Sequence, residues 1–276
     1  MPRSGPADGA FFAIDVGASW VKSGLVVDGR AEDVVREPVA RGVEALVAQI
    51  ARLRDAAGAD AWGFCVAGLV DAQAGALRYS ANLDLRDTPL VQLLAATGPA
   101  PAVFANDLDA AAIGEARGGT LALLQVGTGI AARYVVDGRV APSASGHGGE
   151  VGHLRFRDGG VACSCGNRGC AEAYGSWGGI TRRKPEATDP TELPADVVLE
   201  AHEAIGFAAA ALVAMCDPGT LRIGGGLAAA WGETLLDAVR RELSERVLPD
   251  VAAATAVERA RLGDSAPLVG LARSAT

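Results

Sequence analysis

His153, Cys163, Cys165 and Cys170 fall in one short run, G-G-E-V-G-H-L-R-F-R-D-G-G-V-A-C-S-C-G-N-R-G-C-A-E. One imidazole and three thiolates are the donor set of a closed tetrahedral zinc site. Gly159, Gly160 and Gly166 let a short loop double back so that the ligands converge. A zinc with every position filled by protein does no chemistry of its own. It holds a loop, and the loop carries Glu150 on one side and Glu172 on the other. Carboxylates accept hydrogen bonds from hydroxyls, and neighbouring metal ligands would fix their positions. The plainer alternative is a pair of surface carboxylates beside a structural metal.

A second source of chemistry is Asn106-Asp107, which follows an apolar run at Ala102–Ala105 and opens a helical pattern. A carboxylate at such a strand end can take a proton from a hydroxyl. Asp is also a good helix cap, and the sequence leaves both roles open for Asp107. Asn106 has donor and acceptor atoms suited to a hydroxyl. Three glycine turns complete the set: Asp15-Val-Gly17-Ala-Ser19, Gly127-Thr128-Gly129 and Gly224-Gly225-Gly226. Glycine turns expose amides to phosphate, although each could equally be an ordinary turn.

The elements that must position these groups follow from periodicity and turn signals. Phe11–Val16 reads as a buried strand, and Lys22–Val27 runs into Asp28-Gly29, a hairpin signal, with a third strand over Arg30–Glu37. Helical spacing covers Val43–Arg54, and helices are also expected over Leu108–Arg117, Asp196–Cys216 and Leu227–Val247. Further strands are expected at Trp62–Val66, Ala102–Ala105 and Leu121–Val126. The second half echoes the first: V-G-A-S at 16–19 returns as V-G-T-G at 126–129, and V-V-D-G-R at 26–30 returns at 135–139. Two α/β units, each with a phosphate loop, would produce this echo. Thr181–Pro194 is expected to be an exposed loop.

Composition bounds the partners. The 276 residues suffice for two compact domains, and the net charge of −8 argues against binding nucleic acid or an anionic membrane. No charge-free stretch reaches a spanning length, and Met1–Gly9 lacks the pattern of a secretory signal, so a cytoplasmic protein is expected. The odd cysteine count and the C-x-C pair speak against a disulfide framework. Cys65 and Cys216, in apolar runs, read as small buried hydrophobes. His147 lies in a Gly/Ser-rich turn; His202 lies in a predicted helix, solvated or partly buried.

D-V-G-A-S at 15–19, N-D-L-D-A-A-A-I-G-E at 106–115, and E-V-G-H with C-S-C-G-N-R-G-C-A-E at 150–172 resemble the ROK family of sugar kinases. V-G-T-G-I at 126–130 and R-I-G-G-G-L at 222–227 extend the likeness, which ends with G-D-S-A-P-L-V-G-L-A at 263–272. The zinc run is the specific element; the glycine loops alone are weak. The resemblance implies an α/β protein of the two-domain actin-like/hexokinase (ribonuclease H-like) ATPase fold with a central cleft. One domain would span 1–117 plus 263–276, with the first phosphate loop and the catalytic Asp; the other, 118–262, would carry the zinc loop and the nucleotide-binding turn. The family also includes repressors with an N-terminal winged-helix module. The first phosphate loop at residue 15 favours the kinase side.

The activity so implied is ATP- and Mg²⁺-dependent phosphorylation of the 6-hydroxyl of a hexose or aminohexose, by a homodimer. Asp107 would be the general base, and Asn82, Asn106, Glu150, His153 and Glu172 would contact the sugar. His153 would bind the structural zinc through one ring nitrogen and offer the other to the substrate. Asp15, Gly17, Ser19, Lys22, Gly127, Thr128, Gly129 and Gly224–Gly226 would face the nucleotide, its phosphates and Mg²⁺. Several positions depart from the family pattern. The first loop is G-A-S-W where G-G-T is usual, so Ala18 restricts the backbone and Trp20 adds bulk. Lys22 resembles the first loop of polyphosphate-using glucokinases, and Asp109 replaces a usual Asn. Arg133 stands where small residues are usual, either on phosphate or on the surface, and the segment after Tyr174 is short. The added acidity suggests an aminohexose. A polyphosphate-dependent glucokinase and a non-catalytic sugar-sensing regulator are the alternatives.

Overall fold

Every position of β1 (Phe11–Val16) is buried, as its apolar run requires of a central strand. A computed structural model describes residues 10–275. They form two compact units: one runs to Glu115 and resumes at Asp264, and the other is Ala116–Gly263.

In the first unit β1 pairs antiparallel with β2 (Trp20–Val27), which pairs with β3 (Arg30–Pro38). The β2–β3 turn is Asp28-Gly29, with both φ values positive (50° and 73°), the requirement of a two-residue hairpin turn. After α1 (Val43–Ala57), β4 (Ala61–Val66) joins β1 in parallel. A separate three-stranded sheet follows: β5 (Leu69–Asp71), β6 (Ala76–Ser80) and β7 (Leu85–Thr88). Then come α2 (Leu90–Ala95), β8 (Val103–Asn106), parallel to β4, and α3 (Asp107–Glu115). The main sheet order is β3-β2-β1-β4-β8.

The second unit repeats the plan. β9 (Thr120–Val126), β10 (Ile130–Val136) and β11 (Arg139–Val140) pair antiparallel in succession, and Asp137-Gly138, at φ 48° and 79°, turns β10 into β11. Short helices α4 (Glu172–Gly175) and α5 (Trp177–Arg183) lead to the long α6 (Ala195–Cys216). β12 (Thr220–Gly224) joins β9 in parallel and is followed by α7 (Gly226–Trp231), α8 (Glu233–Arg246), α9 (Pro249–Ala254) and β13 (Ala256–Arg259). The order β11-β10-β9-β12-β13 has the same pairing directions as the first sheet. Both copies of the V-V-D-G-R string therefore sit at the same hairpin. The chain returns to the first unit as α10 (Ala266–Ser274), packed on α3 so closely that a side chain at Gly114 or Gly270 would enter the facing backbone.

Several expectations need correction. The single helix expected over Leu227–Val247 is two, α7 and α8, because Gly232 (φ 55°, ψ −129°) turns the chain between them. The loop expected at Thr181–Pro194 begins inside α5 and is tied down where Trp231 Nε1 donates to the Pro190 carbonyl at 3.0 Å. His202 is buried rather than solvated: it sits on α6 edge-on to Trp231, and burial lowers its pKa. α6 is long and apolar enough to cross a membrane by length and composition, but most of its apolar residues are buried in the unit's core.

Candidate functional site

Asn106 and Asp107 occupy the junction where β8 becomes α3, and the structure separates their tasks. The helix cap is Asn106: its Oδ1 accepts from the Leu108 and Asp109 amides at 2.9 and 3.1 Å. Its Nδ2 donates to the Gly68 carbonyl at 2.8 Å and to Asp107 Oδ1 at 3.0 Å. Asn106 thus takes the capping position, and the Asp107 carboxylate is held by its neighbour at the positive end of α3. Asp15, on β1, is close enough for the Asp107 charge to raise its pKa.

The Asp15 carboxyl is buried, and desolvation pushes its pKa up to about 6. Lys22 opposes the shift from 3.6 Å, and Asp107 adds to it. Lys22 Nζ also lies 3.3 Å from Asp264 Oδ1, so it is bracketed by two carboxylates. Cys65 is buried as expected, and its thiol also faces Asp15 Oδ1 at 3.5 Å. A buried carboxylate whose charge is incompletely offset suits a cation such as Mg²⁺.

The first glycine loop differs from expectation in one respect. The Gly17 amide is turned inward, donating to the Trp20 carbonyl at 3.0 Å. The Ala18 and Ser19 amides have no backbone partner among the described residues and are the ones available to an anion. The Trp20 ring lies under the Arg36 guanidinium, 4.3 Å from the ring centroid, and is 41% exposed. Arg41, which sequence reasoning missed, ties this loop to the Asn82 turn: it donates to the Asn82 and Ala18 carbonyls at 2.5 and 3.1 Å.

In the second unit the four predicted metal ligands converge, their donor atoms all within 4.8 Å of one another. Tetrahedral zinc with Zn–S bonds of about 2.3 Å and Zn–N bonds of about 2.0 Å sets ligand edges at about 3.5–3.8 Å. The Cys165–Cys170 sulfurs are 3.8 Å apart, and Cys163 Sγ is 3.6 Å from His153 Nδ1. The donor set and its spacing therefore fit zinc. Without a cation, burial and the neighbouring thiols push the Cys170 pKa up to about 12. Nδ1 is the ring nitrogen facing the sulfurs; His153 Nε2 is left 4.0 Å from Glu150 Oε2.

Contacts away from the metal also anchor this loop. The Tyr174 hydroxyl accepts from the Val161 amide at 2.9 Å, and Arg157 and Arg183 stack over its ring. Glu200 of α6 pairs with both arginines. Arg133 is neither on the surface nor spare: it is buried, donating to the Ala132 and Gly148 carbonyls at 2.9 and 2.7 Å, just ahead of Glu150. His147 is exposed in the same turn.

Glu172, the first residue of α4, reaches the second glycine loop, where its Oε2 accepts from the Ile130 amide at 3.0 Å. In that loop the Gly127 amide bonds internally to the Gly129 carbonyl, leaving Thr128 and Gly129 as the amides without a backbone partner among the described residues. Gly225, at φ 95°, packs against the Val126 carbonyl too closely for any side chain, which sets the Gly224–Gly226 turn beside Gly127.

Comparison with known proteins identifies the family. A family model described as ROK family matches residues 11–275. The glucokinase of Halalkalibacterium halodurans is 30% identical over 75% of this chain and 73% of its own. The crystal structure of a ROK hexokinase from Thermus thermophilus superposes with a TM-score of 0.78 at 31% identity, over 96% of this chain and 97% of that one. A ROK family glucokinase from Streptomyces griseus, solved with glucose and AMPPNP, gives 0.78 at 25% identity over 96% and 98%.

Proposed function

The chain belongs to the ROK family, with the actin-like/hexokinase fold, and from that premise we propose that it is a sugar kinase transferring a phosphoryl group from ATP to the 6-hydroxyl of a hexose or aminohexose. The observation that carries this reading is the division of labour at 106–107: Asn106 caps α3 and tethers Asp107, so the Asp107 carboxylate serves as general base. It accepts the proton as the sugar oxygen attacks phosphorus. Glu150, Glu172, His153 Nε2 and Asn82 hold the remaining hydroxyls. His153, Cys163, Cys165 and Cys170 would hold a zinc ion whose part is to fix the loop, with no position left open for chemistry. Asp15 would hold a Mg²⁺ ion brought by the nucleotide, and that ion would offset phosphate charge. Each unit offers loop amides suited to phosphate oxygens, Ala18 and Ser19 in the first and Thr128 and Gly129 in the second. Glucokinases are among the relatives, and the Streptomyces griseus structure holds glucose and a nucleotide analogue, which favours ATP over polyphosphate. A coupled assay over a panel of hexoses and aminohexoses, run with each donor, tests the proposal; failure to consume either donor with any sugar would refute it.

A further inference from the structure

Both oxygens of Glu172 are engaged within the protein. Oε2 accepts from the Ile130 amide at 3.0 Å, and Oε1 accepts from the Ser164 hydroxyl at 3.2 Å. The donors come from different places. Ile130 closes the glycine loop 127–129, whereas Ser164 stands between the ligands Cys163 and Cys165. The approach to the glycine loop is tight: a side-chain carbon at Gly129 would lie 2.7 Å from Glu172 Oε2. The backbone continues the connection. The Trp177 amide donates to the Gly127 carbonyl at 2.8 Å, and the Gly178 amide donates to the Thr128 carbonyl at 3.0 Å.

A carboxylate held at both oxygens cannot turn about its terminal torsion, which is otherwise soft. Each oxygen still has a lone pair for a substrate hydroxyl. We infer that Ser164 is a positioning residue: it locks the Glu172 carboxylate, and through that carboxylate the metal-held loop and the glycine loop move as one piece, so that sugar binding at the first and phosphoryl-donor binding at the second are coupled. This rests on the sugar-kinase reading. Without Ser164 the carboxylate pivots about its single bond to Ile130. A hydroxyl then meets a carboxylate of several orientations, and ordering one loop no longer orders the other.

Ser164→Ala and Ser164→Thr, prepared with metal and compared with the natural chain, test this. Hexose affinity is measured by calorimetry with and without a saturating non-hydrolysable ATP analogue, and zinc content is measured alongside. One hydrogen bond to a carboxylate sets the expected scale: Ser164→Ala weakens hexose binding about threefold to tenfold and raises KM in step, with kcat within about twofold. The ratio of the two hexose affinities falls toward one, zinc stays bound, and Ser164→Thr restores the natural values. An alanine variant with natural affinity and an unchanged ratio would overturn the inference. So would a variant whose weakened binding tracks lost zinc. A natural chain that binds no hexose at all would instead overturn the sugar-kinase reading itself.

Discussion

Replacing Asn106 by Ala should separate stability from chemistry at the β8–α3 junction. The side chain accepts hydrogen bonds from two amides in the first turn of α3 and donates to Gly68 and to Asp107. Loss of an N-cap costs about 1 kcal/mol, and loss of a partly buried bond to a carbonyl about 1 more. A total of about 2 kcal/mol lowers Tm by roughly 4–8 °C in a chain of this size. Turnover should fall by about tenfold or more, because the Asp107 carboxylate loses the tether that aims it. Asn106→Ser supplies the control: a serine recaps the helix but reaches neither Gly68 nor Asp107, so about half of the stability returns while turnover stays low. Differential scanning fluorimetry and a coupled kinase assay on the same preparations decide it. An unchanged Tm in Asn106→Ala, or full recovery of turnover in Asn106→Ser, would refute the assigned division of labour.

Other consequences follow from the same geometry. Chelating the zinc should lower both Tm and hexose affinity, since Glu150 and Glu172 flank the metal ligands; an unchanged melting curve after complete removal would contradict the metal's role. Gly129→Ala should raise the KM values for sugar and donor together, because the new carbon meets Glu172 Oε2 at 2.7 Å; a change in only one would argue against a shared strut. The Asp15 pKa is raised to about 6, so its contribution to stability is full below about pH 4 and is lost as pH rises through about 6. Asp15→Asn cannot ionise, and its Tm relative to the natural chain should climb between pH 4 and 7; a flat difference would show that the carboxyl is not buried in this way.

Legibility in the sequence followed the strength of local signals. β1 announced itself as an apolar run up to Asp15, the two Asp-Gly hairpins by a dipeptide that favours two positive φ values, and the zinc ligands by residue type and spacing alone. The three-stranded sheet β5–β7 escaped because L-V-D, A-L-R-Y-S and L-R-D-T are short and half polar, with no sustained alternation. The cap at α3 was undecidable from sequence: Asn and Asp are equally good caps, and only the backbone settles which of two neighbours takes the position. The same holds for the inward-turned amides of Gly17 and Gly127, where composition marks a turn but not the direction of each N–H. Arg133 looked like a phosphate contact or a surface residue because nothing local shows that the Gly148 carbonyl comes within its reach. Ser164 carried no signal at all until Glu172 was placed beside it.

The most direct test of the central claim is the Asp107→Asn variant, assayed for turnover with ATP and a saturating hexose and, separately, for hexose binding by calorimetry. A general base predicts turnover reduced by about a thousandfold or more, hexose affinity within a few-fold of natural, and stability changed by no more than about 1 kcal/mol. Retained turnover, or loss of binding and stability together with turnover, would contradict it.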